Sequence, residues 1–254
     1  MTTALITGAT AGIGAEFARQ LAARGDDLVI VARDADRLAR TAAALQHEFG
    51  VKVEAIPSDL LSAEGLGAVD ARLADRRRPI DLLVNNAGYG IRGELDENSV
   101  DDEKRHLDIH VTVPLQLTQT ALRGMLERGR GRIVLISSVA AFTPRGTYSA
   151  AKAWGVMFAR GANLVYRDRG VSVTAVCPGF VRTEFHDRMK VGTAGIPEFL
   201  WLQAPTLVRL ALRGIDRGRA VVIPTVRYRV IAALARVLPD RLGTAGRFSS
   251  RDDD

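Results

Sequence analysis

The sequence predicts an α/β chain: a doubly wound parallel sheet with helices on both faces, folded as a single domain over residues 1–254. Three observations predict it. Apolar runs of strand length alternate with helix-length amphipathic segments, the pattern of right-handed crossovers between parallel strands. No linker, repeat or low-complexity block divides the chain. The apolar runs also end in glycine or polar residues: TGATAGIG, VAR, SDL, NNAG, SS and CPG. Six such strand ends form one rim, where ligands of these sheets sit.

The elements follow in order. ALITG is the first strand and GIGAEFARQLAARG its helix; DLVIVAR and DADRLARTAAALQHEF repeat the pair. VKVEAIPSD leads into a helical stretch around LSAEGLGAVDARLADR, and IDLLVNNAG is the fourth strand. A long helix is expected over roughly residues 102–127, then RIVLISS, the helix carrying TYSAAKAWG, and VSVTAVCPG. AVVIP is a short apolar run near the end. The stretch VRYRVIAALARVLP, residues 226–239, is apolar with Arg227, Arg229 and Arg236 interspersed. Packing within the protein or an oligomer is the favoured reading; capping a substrate cleft or lying on a membrane surface stay open. FSSRDDD reads as a frayed acidic tail, so that residues 226–254 form a C-terminal helix and tail.

Composition sets bounds on partners. At 47% hydrophobic and 25% charged, the chain suits a soluble protein with a substantial core. No apolar run approaches the roughly 20 residues that cross a bilayer, and MTTALITG does not resemble a secretory signal. A single cysteine, Cys177, excludes an internal disulfide framework and suits a reducing compartment, so the expected location is cytoplasmic, without membrane contact. The net charge of +6 invites a nucleic-acid reading. The Arg residues are spread along the chain, however, without a basic stripe interleaved with aromatics, and nucleic acid is not an expected partner.

Two local patterns carry chemistry. Gly8, Gly12 and Gly14 lie between the first strand and first helix, where glycines permit a tight turn and free N–H groups favour a phosphate. Tyr148 and Lys152 stand four apart, one turn along a helical face. Only four of the 35 basic residues are Lys, and a compact ammonium can favour an ionised phenol beside it. An ordinary helix with one surface Lys is the plain alternative.

TGATAGIG, NNAG at 85–88, YSAAK at 148–152 and PGFVRT at 178–183 together resemble the motif set of the short-chain dehydrogenase/reductase family, in the family's order, over roughly residues 3–185. The resemblance implies a Rossmann-type fold and an oxidoreductase that moves a hydride between a nicotinamide cofactor and a carbonyl or alcohol. Tyr148 would be the general acid/base, and Lys152 would lower its pKa from about 10 and bind the nicotinamide ribose. Ser138 would hydrogen-bond the substrate carbonyl, a turn or capping serine being the alternative. The cofactor cradle would comprise Gly8, Thr10, Gly12, Ile13 and Gly14, with Asn86, Ala87 and Gly88. Asp59 and Leu60 would lie at the adenine, a helix N-cap being the near-equal alternative for Asp59. Pro178, Gly179, Val181 and Thr183 would lie at the nicotinamide.

Cofactor choice is read at the end of the second strand. NAD-selective members carry an acid where this chain has Ala32, and Arg33 next to it can bind a phosphate, which favours NADP over NAD. Asp34 reads better as the N-cap of DRLARTAAAL than as a ribose acceptor. Ala11 stands where some members place a second basic residue.

Two departures stand out. His110 replaces the family's Asn, whose backbone carbonyl holds a water in a relay behind the lysine. The resemblance places His110 with the catalytic residues through that carbonyl; its imidazole is expected as a bystander, an imidazole that replaces the water being the alternative. Ser138 and Tyr148 are ten apart, about three fewer than usual. Residues 183–215 correspond to a substrate lid in which Phe185, Phe199, Leu200 and Trp201 form an apolar wall or ordinary core. The expected substrate is an apolar ketone or aldehyde, ketoacyl- or ketosteroid-like by analogy, the expected assembly a homodimer or homotetramer, and no metal is called for. The rival reading is a non-catalytic dinucleotide-binding member of the same fold.

Overall fold

The structure is a computed structural model that describes residues 2–91, 93–144, 146–183 and 197–236. Seven parallel strands form one sheet in the order β3-β2-β1-β4-β5-β6-β7. They are β1 (Thr3–Thr7), β2 (Asp27–Ala32), β3 (Val53–Pro57), β4 (Leu82–Asn85), β5 (Gly131–Ile136), β6 (Val171–Val176) and β7 (Val221–Val222). The order reverses between β1 and β4, which opens a crevice at their carboxyl ends. Alternating residues feed two cores. Ala4 and Ile6 pack with Phe17, Leu38 and Val208 on one face, whereas Leu5 packs with Val69, Leu117 and Val173 on the other. That two-sided burial is why the strands read as continuous apolar runs.

The helices are α1 (Gly12–Ala22), α2 (Ala35–Phe49), α3 (Ala63–Ala74), α4 (Val100–Leu107), α5 (Val113–Arg128), α6 (Gly146–Tyr166), α7 (Ala204–Asp216) and α8 (Val226–Ala235). Asp34 caps α2, its carboxylate accepting from Arg37 N at 2.9 Å, as expected. Ser62, not Asp59, caps α3, accepting from Gly65 N at 3.0 Å. Asp59 instead accepts from Leu61 N at 3.1 Å, so the N-cap alternative for Asp59 is set aside.

The long helix expected over 102–127 runs from Val100 to Arg128, but a π-helical segment, Asp108–Thr112, divides it into α4 and α5. Val113 N–H reaches Asp108 O, five residues back. Pro114 follows and has no N–H to give to the His110 carbonyl, so the regular four-residue ladder is broken at the residue that departs from the family pattern.

One expectation needs correction at the C-terminal side. Residues 204–215 are not lid: Leu207, Val208, Ala211, Leu212 and Ile215 of α7 are buried in the first core. Of the predicted apolar wall, Phe199 is 67% exposed, Leu200 packs on the first core, and Trp201 lies at 5.9 Å from the Phe180 ring under the Arg182 guanidinium. Phe185, the tail FSSRDDD and residues 237–239 lie outside the described residues.

Helix α8 docks through Tyr228 and Ala232. The Tyr228 hydroxyl accepts from Phe180 N at 3.0 Å and donates to Leu200 O at 2.7 Å. A Cβ on Gly179 would stand 1.9 Å from the Tyr228 ring, so this glycine is set by packing. Tyr228→Phe keeps the ring and removes both hydrogen bonds. At about 1 kcal/mol each, and 2–4 °C per kcal/mol for a chain of about this size, thermal unfolding should shift down by roughly 4–8 °C.

Candidate active site

The glycine turn is built before any ligand is considered. Gly8 and Gly12 have φ of +67° and +53°, a region that favours glycine. A Cβ on Gly14 would fall 2.2 Å from Gly8 O. Asn86 closes the turn from β4, donating Nδ2 to Thr7 O at 2.9 Å and Gly8 O at 3.1 Å. The Thr7 hydroxyl receives Asn86 N and Ala87 N, both at 3.0 Å. No side chain caps α1, and no acidic residue lies in its first turn, so its first N–H groups and dipole can meet an anion.

The other cofactor candidates surround this turn. Thr10 and Ile13 are half-buried beside it, and Thr183 lies against Gly12, where an added Cβ would meet its side chain at 3.1 Å. Val181 bridges to Leu202 and is buried, while Pro178 O accepts from Val139 N at 2.9 Å and ties this loop to the Ser138 loop. Arg33 is exposed at the end of β2. Leu60 is buried in the second core, which leaves only its main chain for a ligand. The cradle therefore fits a dinucleotide: a glycine turn that a Cβ would fill, an uncapped helix N-terminus, and a cation at the β2 end.

Helix α6 brings Tyr148 and Lys152 to the end of β5. The Ser138 side chain comes near enough to the Tyr148 phenol to draw its pKa down, so the ten-residue spacing still brings them together. Ser138 Oγ also accepts from Ala140 N at 3.1 Å, so the capping alternative for Ser138 is also realised. Ser137, buried, donates to Lys152 O at 2.7 Å and anchors α6 to the strand. Burial pushes the Tyr148 phenol up to about 12, the nearby Ser138 side chain working against it. That corrects the expectation of a lowered tyrosine, because Lys152 points its charge elsewhere. Its Nζ lies 5.6 Å from the Tyr148 ring centroid and donates to Ile136 O at 2.9 Å and His110 Nδ1 at 3.1 Å. Burial draws the Lys152 ammonium down to about 8.

The His110 imidazole thus meets Lys152 directly. An ammonium can only donate, so Nδ1 accepts and the proton sits on Nε2, which donates to Tyr89 O at 2.7 Å. Burial first, then the Lys152 charge, hold His110 well below the usual histidine range, which keeps it neutral. The sequence reading missed a second imidazole. His106, fully buried one turn earlier, has its ring 4.6 Å from His110 and 6.0 Å from Tyr148. Neither of its ring nitrogens has a hydrogen-bond partner among the described residues. The signal was present: two histidines four apart share a helical face.

The match to the short chain dehydrogenase family spans residues 2–192. The chain belongs to that family. Ketoacyl reductase HetN from Nostoc sp. is 36% identical over 184 residues. That match takes in 70% of this chain and 63% of the relative, so the chain spans less than two thirds of that protein's length. A short-chain dehydrogenase from Sphingobium yanoikuyae, solved in complex with NADPH, superposes with a TM-score of 0.85 at 34% identity, covering 100% of this chain and 99% of that one. The bulky-bulky ketone specific alcohol dehydrogenase from Comamonas testosteroni gives 0.81 at 32%, covering 100% and 97%.

The imidazole site makes Gly88 specific. A Cβ there would lie 2.3 Å from His110 Cε1. Gly88→Ala should lower the melting temperature by several degrees, as overpacking of roughly 1–3 kcal/mol implies. Adding His110→Asn, which shortens the side chain, should return at least half of the loss.

Proposed function

We propose that the protein is an NADPH-dependent carbonyl reductase, or the reverse alcohol dehydrogenase, acting on an apolar ketone or aldehyde. The observation that carries this reading is Ser138 set beside the Tyr148 phenol at the β5 end, with the Lys152 ammonium held by Ile136 O behind it. NADPH, when bound, supplies the hydride. The chain's own residues supply the rest: Ser138 orients the carbonyl oxygen and Tyr148 hands it a proton. A phenol raised to about 12 is protonated at neutral pH, which suits a donor in the reductive direction. Lys152 keeps a positive charge near the phenolate left behind, and His110 and Ile136 hold that charge in place.

Arg33 at the β2 end supports NADP over NAD, since Asp34, the nearest acid, is committed to capping α2. The names of the relatives support a ketoacyl or bulky ketone substrate. Exposed Met157, Leu164 and Val165 form an apolar stripe along α6, which supports a homodimer or homotetramer. No helix of the described residues is long and apolar enough to cross a membrane. The buried free thiol of Cys177 supports the cytoplasm. The rival, a non-catalytic binder, is disfavoured by the intact Ser138–Tyr148 pair.

Calorimetric titration with NADPH and NADH tests the cofactor. Arg33→Ala should lose at least about tenfold in NADPH affinity, as one charge-assisted contact implies, with little change for NADH. Equal wild-type affinity for the two would overturn the assignment. A panel of carbonyl compounds with NADPH tests the reaction. Tyr148→Phe should bind NADPH nearly as wild type and lose kcat by at least about a hundredfold; wild-type inactivity on the whole panel would favour the non-catalytic reading.

A further inference from the structure

Crossovers between parallel strands place their two connections on opposite rims of the sheet: strand-to-helix turns beside the crevice, helix-to-strand turns on the far side. Six connections run from a helix into the next strand, over residues 23–26, 50–52, 75–81, 129–130, 167–170 and 217–220. Together they hold ten Lys and Arg against four Asp, a net of +6. All other residues hold 25 Lys and Arg against 25 Asp and Glu. The whole excess charge of the chain therefore belongs to one rim, the one facing away from the crevice. The scatter of Arg that argued against a nucleic-acid partner is a property of the sequence and not of the fold.

Contacts between the turns show how closely the cations are gathered. Arg128 Nη2 donates to Ile80 O at 2.8 Å and joins the turns before β5 and β4. Gly131 N donates to Gly170 O at 3.1 Å and joins those before β5 and β6. Arg167 Nη2 reaches Arg217 O at 3.4 Å and joins those before β6 and β7. Strands β4 to β7 are neighbours in the sheet, and at about 4.8 Å between strands they span roughly 15 Å. Eight of the ten cations stand on that span.

A cation near a helix carboxyl end commonly serves the helix or an ion pair, and four of the ten do pair. Arg24, Arg76, Arg78 and Arg130 meet Asp216, Glu127, Asp75 and Asp81 respectively. Lys52, Arg77, Arg167, Arg169, Arg217 and Arg219 are exposed and make no ion pair among the described residues. The connections contain no aromatic residue on which a splayed base could stack. None of their apolar side chains is exposed for insertion into a bilayer. What remains is a row of guanidinium groups, which match phosphate oxygens bidentately. A basic face on a domain of pI near 10.0 is the electrostatic footprint of a nucleic-acid binder.

We infer that this rim binds the phosphate backbone of duplex nucleic acid, without regard to base sequence, through Arg77, Arg167, Arg169, Arg217 and Arg219. A duplex presents one charge per roughly 1.7 Å of its axis, so a rim of about 15 Å meets several phosphates at once. The surface lies at the opposite end of the sheet from the crevice, and it does not depend on the proposed reaction.

Fluorescence anisotropy of a labelled DNA duplex of about 20 base pairs tests this on the full chain between roughly 50 and 200 mM salt. Five phosphate contacts imply a slope of log affinity against log salt of about −4 to −5. Arg77→Ala/Arg217→Ala/Arg219→Ala should flatten that slope by about 3 and weaken low-salt binding at least about tenfold. Arg40→Ala/Lys104→Ala/Arg229→Ala removes the same charge from exposed sites on α2, α4 and α8; at about 0.1 M salt it should bind within about twofold of wild type. Equal losses in the two variants, or a wild-type slope no steeper than about −2, would overturn the inference. So would displacement of the duplex by NADPH, which would place it in the crevice. Vesicles of phosphatidylserine and phosphatidylcholine are the second probe: capture by vesicles without binding to the duplex would make the rim a membrane surface and overturn it too. Should the triple rim variant not fold, Arg77→Ala alone should flatten the slope by about 1, and an unchanged slope would count against the inference. Inactivity toward carbonyl compounds would overturn the proposed reaction and leave these readings unaffected.

Discussion

A single ammonium, that of Lys152, constrains more of this molecule than any other group. To bury a charge, a protein must give it acceptors in place of water. The Ile136 carbonyl comes from the end of β5 and the His110 ring from the π segment between α4 and α5. Each acceptor is in turn fixed. Ser137 ties the main chain of Lys152 to the strand, and Tyr89 O holds the far side of the imidazole. Gly88 has to be glycine so that the ring can lie against it. Three elements that are remote in sequence are therefore registered on one nitrogen.

The irregular backbone at this point has a physical cause. Pro114 cannot close the helical ladder onto His110, and the extra residue of the π segment turns the histidine toward Lys152. Such single-turn widenings recur at functional sites. His106 adds a second local inconsistency, an imidazole fully buried with neither nitrogen partnered among the described residues. Leaving such groups unsatisfied costs about 1–3 kcal/mol each. Places where a chain breaks local rules gather where function competes with stability, and here they gather within one turn of the Lys152 partner.

Much of the fold was legible because burial on both sheet faces writes strands as unbroken apolar runs, and because Asp34 and Gly50 mark the two ends of α2. The glycine turn, Tyr148 and Lys152 were legible as spacing. The π segment was not, since sequence periodicity over 100–128 is nearly that of one helix. The contact of His110 with Lys152 was not legible for the same reason: a regular helix gives no cause to aim its side chain there. Residues 204–215 were assigned to a lid by family analogy, although Leu207, Val208, Ala211, Leu212 and Ile215 already showed the stripe of a core helix. Asp59 lost its capping alternative because Ser62, directly before α3, takes Gly65 N.

The expectation for Tyr148 failed on magnitudes rather than geometry alone. A nearby cation lowers a phenol's pKa only as far as its charge reaches the oxygen, and loss of solvent raises it. With Lys152 committed to Ile136 O and His110 Nδ1, burial wins and the phenol rises to about 12 while the ammonium falls to about 8. The two shifts have one origin, the scarcity of water around both groups. They oppose charge separation in the resting pair, so each group favours its neutral form more than it would in solvent. Once a phenolate forms, its charge acts on Lys152 in the opposite sense and raises the ammonium's pKa again. For the proposed reduction this coupling is useful: the proton is held until the substrate oxygen takes it, and the resulting phenolate then strengthens the cation that stabilises it.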